Sequence, residues 1–130
     1  MAAGTATTTR PSSLSDGIAA RERGDYAEAY GLLLQAVGEA EREHGMDSRE
    51  LAGALNALGI VCKYTGRFSE GENHYVRALA ILEVHGEGQT PLAAAVHHNI
   101  GGIRHARGDY AGAESPARHA VAINERALFS

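Results

Sequence analysis

Gly24-Asp25-Tyr26-Ala27-Glu28-Ala29, Gly66-Arg67-Phe68-Ser69-Glu70-Gly71 and Gly108-Asp109-Tyr110-Ala111-Gly112-Ala113 are three versions of one phrase: a glycine, then an aromatic ring two residues later. Each copy lies 42 residues after the one before. A second glycine column stands seven residues upstream, at Gly17, Gly59 and Gly101. A small-residue column follows at Ala36, Ala78 and Ala120. A bulky column, Leu33 and Tyr75, falls between them, with Ala117 in the third copy. Self-similarity at a fixed period is the signature of a repeat architecture.

Each column has a physical reason. The glycine of the phrase closes one helix, where a positive φ costs glycine little. The aromatic is expected to plug the corner between paired helices. The upstream glycine and downstream alanine let two helices approach closely. From Tyr26 the apolar positions run Tyr26, Ala29, Leu33, Ala36, Val37 and Ala40. These steps of three and four mark one helix face. Ser48 is a candidate N-cap after the Gly45-Met46-Asp47 connector. Thr90 is another, with Pro91 in the first helical position. The pattern predicts helices over 13–23, 26–44, 49–65, 68–85, 91–107 and 110–127.

These residues resemble the tetratricopeptide repeats. The pattern L-G-x6-G-x-Y-x2-A-x6-A appears as Leu58-Gly59, Gly66, Phe68 and Ala78, and again as Ile100-Gly101, Gly108, Tyr110, Ala113 and Ala120. The usual unit has about 34 residues. The longer unit here is similar to the kinesin-light-chain type. The Leu-Asn-Asn-Leu habit of that type is partly kept in Leu55-Asn56-Ala57-Leu58 and His97-His98-Asn99-Ile100. The resemblance implies an all-α solenoid of antiparallel helix pairs: about three units, six helices and a right-handed superhelix. The expected organisation is a flexible tail over 1–12 and a repeat domain over 13–130, with units 13–47, 48–89 and 90–130.

Three departures carry expectations of their own. The first leading helix is short and has Asp16 where Leu58 and Ile100 sit, which predicts fraying. Pro116 should kink or delay the last helix, because it removes a backbone donor. No polar capping helix follows residue 127, and solenoids usually need one. Either the array continues in a longer protein, or a partner or second copy covers this end.

Composition excludes several classes. The formal net charge of −4 gives no basic field for non-specific nucleic-acid binding. No apolar run reaches membrane-spanning length. Met1 to Arg10 has no apolar stretch of the signal-peptide kind. Cys62, the single cysteine, has no intramolecular disulfide partner, as in a reducing compartment. Cytoplasm is the expected location.

The resemblance implies that the leading helices line a concave groove where partners lie. The groove residues would be Arg21 in the first unit, Asn56, Lys63 and Tyr64 in the second, and His98, Asn99 and His105 in the third. Arg21, Lys63 and His105 form one column at the repeat period. As a binding stripe it would grip a peptide backbone or an acidic, carboxylate-bearing segment. As local electrostatics it would only complement helix dipoles, since each member falls in a last turn. Leu128 and Phe129 are the candidate self-association residues.

No metal, cofactor or catalytic set is expected. His98 and His105 are seven apart, too far for the usual helical ligand pair. Cys62 reads as a small buried thiol rather than a redox sensor. Gly101-Gly102 lacks a phosphate-loop frame. His74 and His119 are expected on packed or convex faces. The first functional expectation is a non-catalytic protein- or peptide-binding scaffold. The alternative is a structural or oligomerisation module, or a fragment of a larger regulator, self-associating through its C-terminal end.

Overall fold

A computed structural model of the chain describes residues 12–129. Six helices follow one another: α1 (Ser13–Glu22), α2 (Tyr26–His44), α3 (Arg49–Tyr64), α4 (Phe68–Val84), α5 (Pro91–Ala106) and α6 (Tyr110–Phe129). They pack as consecutive pairs, and each helix touches only helices one or two places along the chain. The protein is an all-α helical repeat. The tail expected over 1–12 lies outside the described residues except for Ser12.

The helix ends follow from local chemistry. Gly24, Gly66 and Gly108 take φ of 81°, 75° and 89°, the left-handed conformation that turns each leading helix into its trailing partner. Ser48 and Thr90 accept hydrogen bonds from the backbone N–H groups of Leu51 and Ala93. Pro91 opens α5, where its missing N–H costs nothing. α1 is short, yet it is not frayed. The Ser12 hydroxyl accepts from the Ser15 N–H, and Gly17 and Ala20 are buried.

The upstream glycine column sets how closely paired helices approach. A Cβ on Gly59 would lie 2.4 Å from the Tyr75 ring, and one on Gly17 would lie 2.7 Å from Leu33. In the third unit, with Ala117 opposite, a Cβ on Gly101 would instead meet the Ala113 carbonyl at 3.1 Å. Leu33 and Tyr75 are almost wholly buried as a result, as are Ala36, Ala78 and Ala120.

Two apolar clusters make the core. One joins α1, α2 and the Ala57, Leu58, Val61 and Cys62 side of α3. The other joins the Leu51, Ala52 and Leu55 side of α3 to α4, α5 and α6, with Ala40 of α2 at its edge. Leu51, Leu55 and Leu58 are fully buried, each contributing about 1.5–3 kcal/mol. α3 therefore walls both clusters.

Two expectations need correction. Tyr26 packs against the first cluster but is not confined to the corner of its own pair. It stacks on Tyr64 of the following unit, with centroids 5.0 Å apart and planes 4° from parallel. Tyr110, the third-copy aromatic, is 65% exposed and meets His105 edge-on. Pro116 does not delay the last helix, which runs from Tyr110 through it. The carbonyl that loses its helical donor is that of Gly112, and the Arg104 guanidinium supplies a replacement N–H at 3.0 Å. The same guanidinium donates twice to Glu72 Oε2, at 3.0 and 2.7 Å, while Arg107 lies 2.8 Å from Oε1. These bonds hold the Glu72 carboxyl below its ordinary 4.5, the Arg104 hydrogen bond being the largest cause.

Two stability measurements follow. Gly59→Ala should destabilise by about 1–3 kcal/mol through overpacking against Tyr75. Gly31→Ala, where a Cβ meets nothing within 4 Å, should stabilise by about 0.5–1 kcal/mol. Denaturant unfolding of both variants checks the pair.

Because Glu72 is depressed in the fold, its contribution is present above the unfolded value and is lost as pH falls through the folded one. Glu72→Gln should lower Tm at neutral pH. The gap from wild type should narrow as melts are taken from neutral pH down to about pH 3.

Candidate functional site

The expected groove residues lie on the leading helices α1, α3 and α5, and the structure gathers most of them in one place. Ile60, Lys63, Tyr64, Tyr75, His98, Asn99 and Gly102 line a pocket of about 190 Å³ between the second and third units. Asn56 joins it through Asn99, whose side-chain amide donates to the Asn56 carbonyl oxygen at 2.9 Å. One bond leaves each amide with further donor and acceptor capacity. Gly102 gives the Lys63 ammonium room: a Cβ there would lie 3.7 Å from Nζ.

Tyr64 and Lys63 are positioned together. Tyr64 stacks on Tyr26, and Lys63 Nζ sits 5.4 Å from the centre of the Tyr64 ring. This cation–π geometry holds the ammonium without neutralising it. Among the described residues Lys63 pairs with no carboxylate. Its basic neighbours at helix ends do: Arg23 with Glu28, and Arg104 and Arg107 with Glu72.

The remaining two column members stand apart. Arg21 and His105 do not line the pocket. His105 packs on Tyr110 at 4.8 Å. The charge of Arg21 acts on Tyr75, whose phenol is pushed up chiefly by burial and drawn back by that cation. Each basic column member lies in the last turn of its helix, the place where a cation complements the helix dipole.

Tyr75 is the groove residue that the sequence pattern did not disclose. It belongs to a trailing helix and to the core column, and only the space above Gly59 lets its ring reach the pocket. That pairing of glycine with a large aromatic sixteen residues on was the available signal.

A second constellation was also missed. Cys62 on α3 and Glu70 and His74 on α4 each offer a ligand-type atom, all within 4.8 Å of one another. Three donors converge on the Glu70 carboxylate: the Tyr30 hydroxyl at 3.0 and 2.9 Å, the Cys62 thiol at 3.6 Å and His74 Nε2 at 3.1 Å. Burial raises the Glu70 pKa, but the bonds from His74, Tyr30 and Cys62 outweigh it and hold the carboxyl below its usual range. Cys62 is fully buried, as expected. Burial and then the Glu70 charge push its thiol up to about 12, so it keeps its proton. His74 is half-buried, whereas His119 is exposed and stacks on His97.

A larger hollow, about 750 Å³, is elsewhere. It opens beside the start of α1 and is lined by Asp16, Glu39, Glu43 and Glu50 among others. At the opposite end, a slot of about 430 Å³ between α5 and α6 is floored by Ala94, Ala117 and Ala120 and edged by Val121. Leu128 and Phe129 beyond it are 80% and 88% exposed.

Among the described residues no helix is long and apolar enough to cross a membrane. No curated protein matches the chain in sequence. A family model described as tetratricopeptide repeat matches residues 17–84 and, overlapping, 50–126. Its repeats generally mediate protein–protein interaction on a fold that is typically a non-catalytic scaffold. The glycine-led helix pairs, their close approach and this match over most of the chain agree, and the protein belongs to the tetratricopeptide-repeat family.

Proposed function

We infer that this protein is a non-catalytic scaffold that grips an extended protein or peptide segment along its leading helices. The observation that supports this most is the Lys63 ammonium. It is held over an aromatic ring, bordered by Asn99 and His98, and among the described residues it pairs with no carboxylate. A partner carboxylate would complete the pocket, and the Asn56–Asn99 pair would read backbone amides beside it. That chemistry favours an acidic or carboxylate-bearing segment. The 42-residue spacing and the same asparagine pair support reading the units as the long, kinesin-light-chain-like kind. The unpaired Cys62 accords with a cytoplasmic setting.

Alanine at Asn56, Lys63 and His98 together should weaken binding of acidic peptides at least about tenfold, roughly 1.4 kcal/mol. Tm should fall little, since Lys63 and His98 are not core residues and the lost Asn56–Asn99 bond costs about 0.5–1.5 kcal/mol. Fluorescence anisotropy across a panel of acidic peptides reads the affinity. Equal affinity in the folded triple variant overturns the reading.

A second reading is favoured by the C-terminal end. Val121 at the α5–α6 slot and Leu128 and Phe129 beyond it on α6 are exposed, on the unit that a further repeat would cover. A second copy, or a further repeat of a larger regulator, would then be the partner. Light scattering should show mass rising with concentration, and Leu128→Glu with Phe129→Glu should return the chain to monomer. A concentration-independent monomer removes this reading.

A further inference from the structure

We propose that Cys62, Glu70 and His74 form a binding site for a single zinc-class divalent cation, in which Tyr30 positions the carboxylate. Sulfur, imidazole and carboxylate make a donor set suited to a borderline cation such as Zn²⁺ rather than to magnesium or calcium. With metal–ligand lengths of about 2.0–2.3 Å, tetrahedral donors stand about 3.3–3.7 Å apart. Cys62 Sγ lies 3.6 Å and His74 Nε2 lies 3.1 Å from the same atom, Glu70 Oε2. The third edge lies within 4.8 Å.

The two carboxylate oxygens face different charges. Oε1 has the Arg67 guanidinium at 3.9 Å, and Arg67 is itself stacked 4.0 Å from the Tyr30 ring. Oε2 faces the thiol and the imidazole. The Tyr30 hydroxyl spans both oxygens and fixes the carboxylate plane, the kind of outer-sphere support that metal-binding carboxylates have. His74 and Glu70 keep side-chain exposures of 22% and 36%, which leaves the cation a path from solvent to the buried sulfur.

The balance is simple. Binding releases the thiol proton to solvent, and the imidazole presents an Nε2 lone pair with its proton on Nδ1. A dication then meets one thiolate and one carboxylate, so the filled site is neutral and suits its burial. Three protein ligands leave a fourth position for water or for a donor from a partner. Repeat periodicity does not impose this set: the equivalent residues are Ala20, Glu28 and Leu32 in the first unit and Arg104, Gly112 and Pro116 in the third. A cation here would staple α3 to α4 at the middle of the array.

The test is titration of the full chain, stripped by chelator and kept reduced, with Co²⁺. One equivalent should produce a thiolate-to-cobalt charge-transfer band and the intense visible bands of four-coordinate cobalt, both abolished by Zn²⁺. Zn²⁺ should also raise Tm by several degrees. Cys62→Ser and His74→Ala should weaken binding more than about 100-fold, and Tyr30→Phe by about 10- to 100-fold. His98→Ala and His119→Ala should bind as wild type does. Absence of the thiolate band, or undiminished Co²⁺ affinity in the variants, overturns the proposal. If Cys62→Ser fails to fold by circular dichroism, the half-exposed His74→Ala decides.

Discussion

The Tyr75 ring lies against the bare backbone of Gly59, at a distance that no other residue at position 59 would permit. This contact sets the spacing of α3 and α4. It buries the largest side chain of the core and brings the ring through to the groove, where it forms part of the pocket wall under Lys63 and Asn99. Core and candidate site are thus one construction. The Leu33 contact with Gly17 repeats it in the first unit. The third unit keeps the glycine and loses the ring, and there α5 and α6 meet at backbone distance instead.

Positions one repeat apart do different chemistry at the two seams between units. At the first seam Tyr30 of α2 and Cys62 of α3 both donate to Glu70 of α4, with Arg67 flanking the carboxylate. At the second seam the equivalent residues are Glu72, Arg104 and Gly112, where the acid has moved to the preceding unit and an arginine fork joins it to a carbonyl. A fork with several donors is needed there, and a lysine would not reach both acceptors in one plane. Each seam therefore accepts only its own neighbour, and unit order is written in side-chain chemistry that the shared frame leaves open.

Most of the fold was legible because it rests on local causes. Helix starts at Ser48 and Thr90, stops at Gly66 and Gly108, and the pairing of glycine with a bulky residue all operate within a few turns of chain. The predicted helix bounds agree with the structure to within one or two residues. What was not legible depends on neighbours in space. Pro116 reads as a break because its own helix cannot satisfy Gly112, and the arginine that does so comes from α5. Tyr26 reads as a plug for its own corner because nothing nearby in sequence announces Tyr64. The Cys62, Glu70 and His74 group was overlooked because its cysteine and histidine lie on opposite sides of the Gly66 turn. A search along single helices finds only the Glu70–His74 pair. The basic column shows in its period, but the period does not distinguish Lys63, which borders the pocket over the Tyr64 ring, from His105, which lies outside it against Tyr110.

The two-sided burial of α3 has a consequence for how the chain acquires its structure. Among the described residues no helix touches one more than two places away, so contacts reach no further than about one repeat along the chain, a condition that favours rapid folding. Arrays of this sort can in principle nucleate anywhere and grow outward. Here the starting points are not equal. α1 and α2 have a finished apolar surface to dock on only once α3 exists, and so do α4 to α6 from the other side. α3, shared by both clusters, is the surface on which either side of the described array would build.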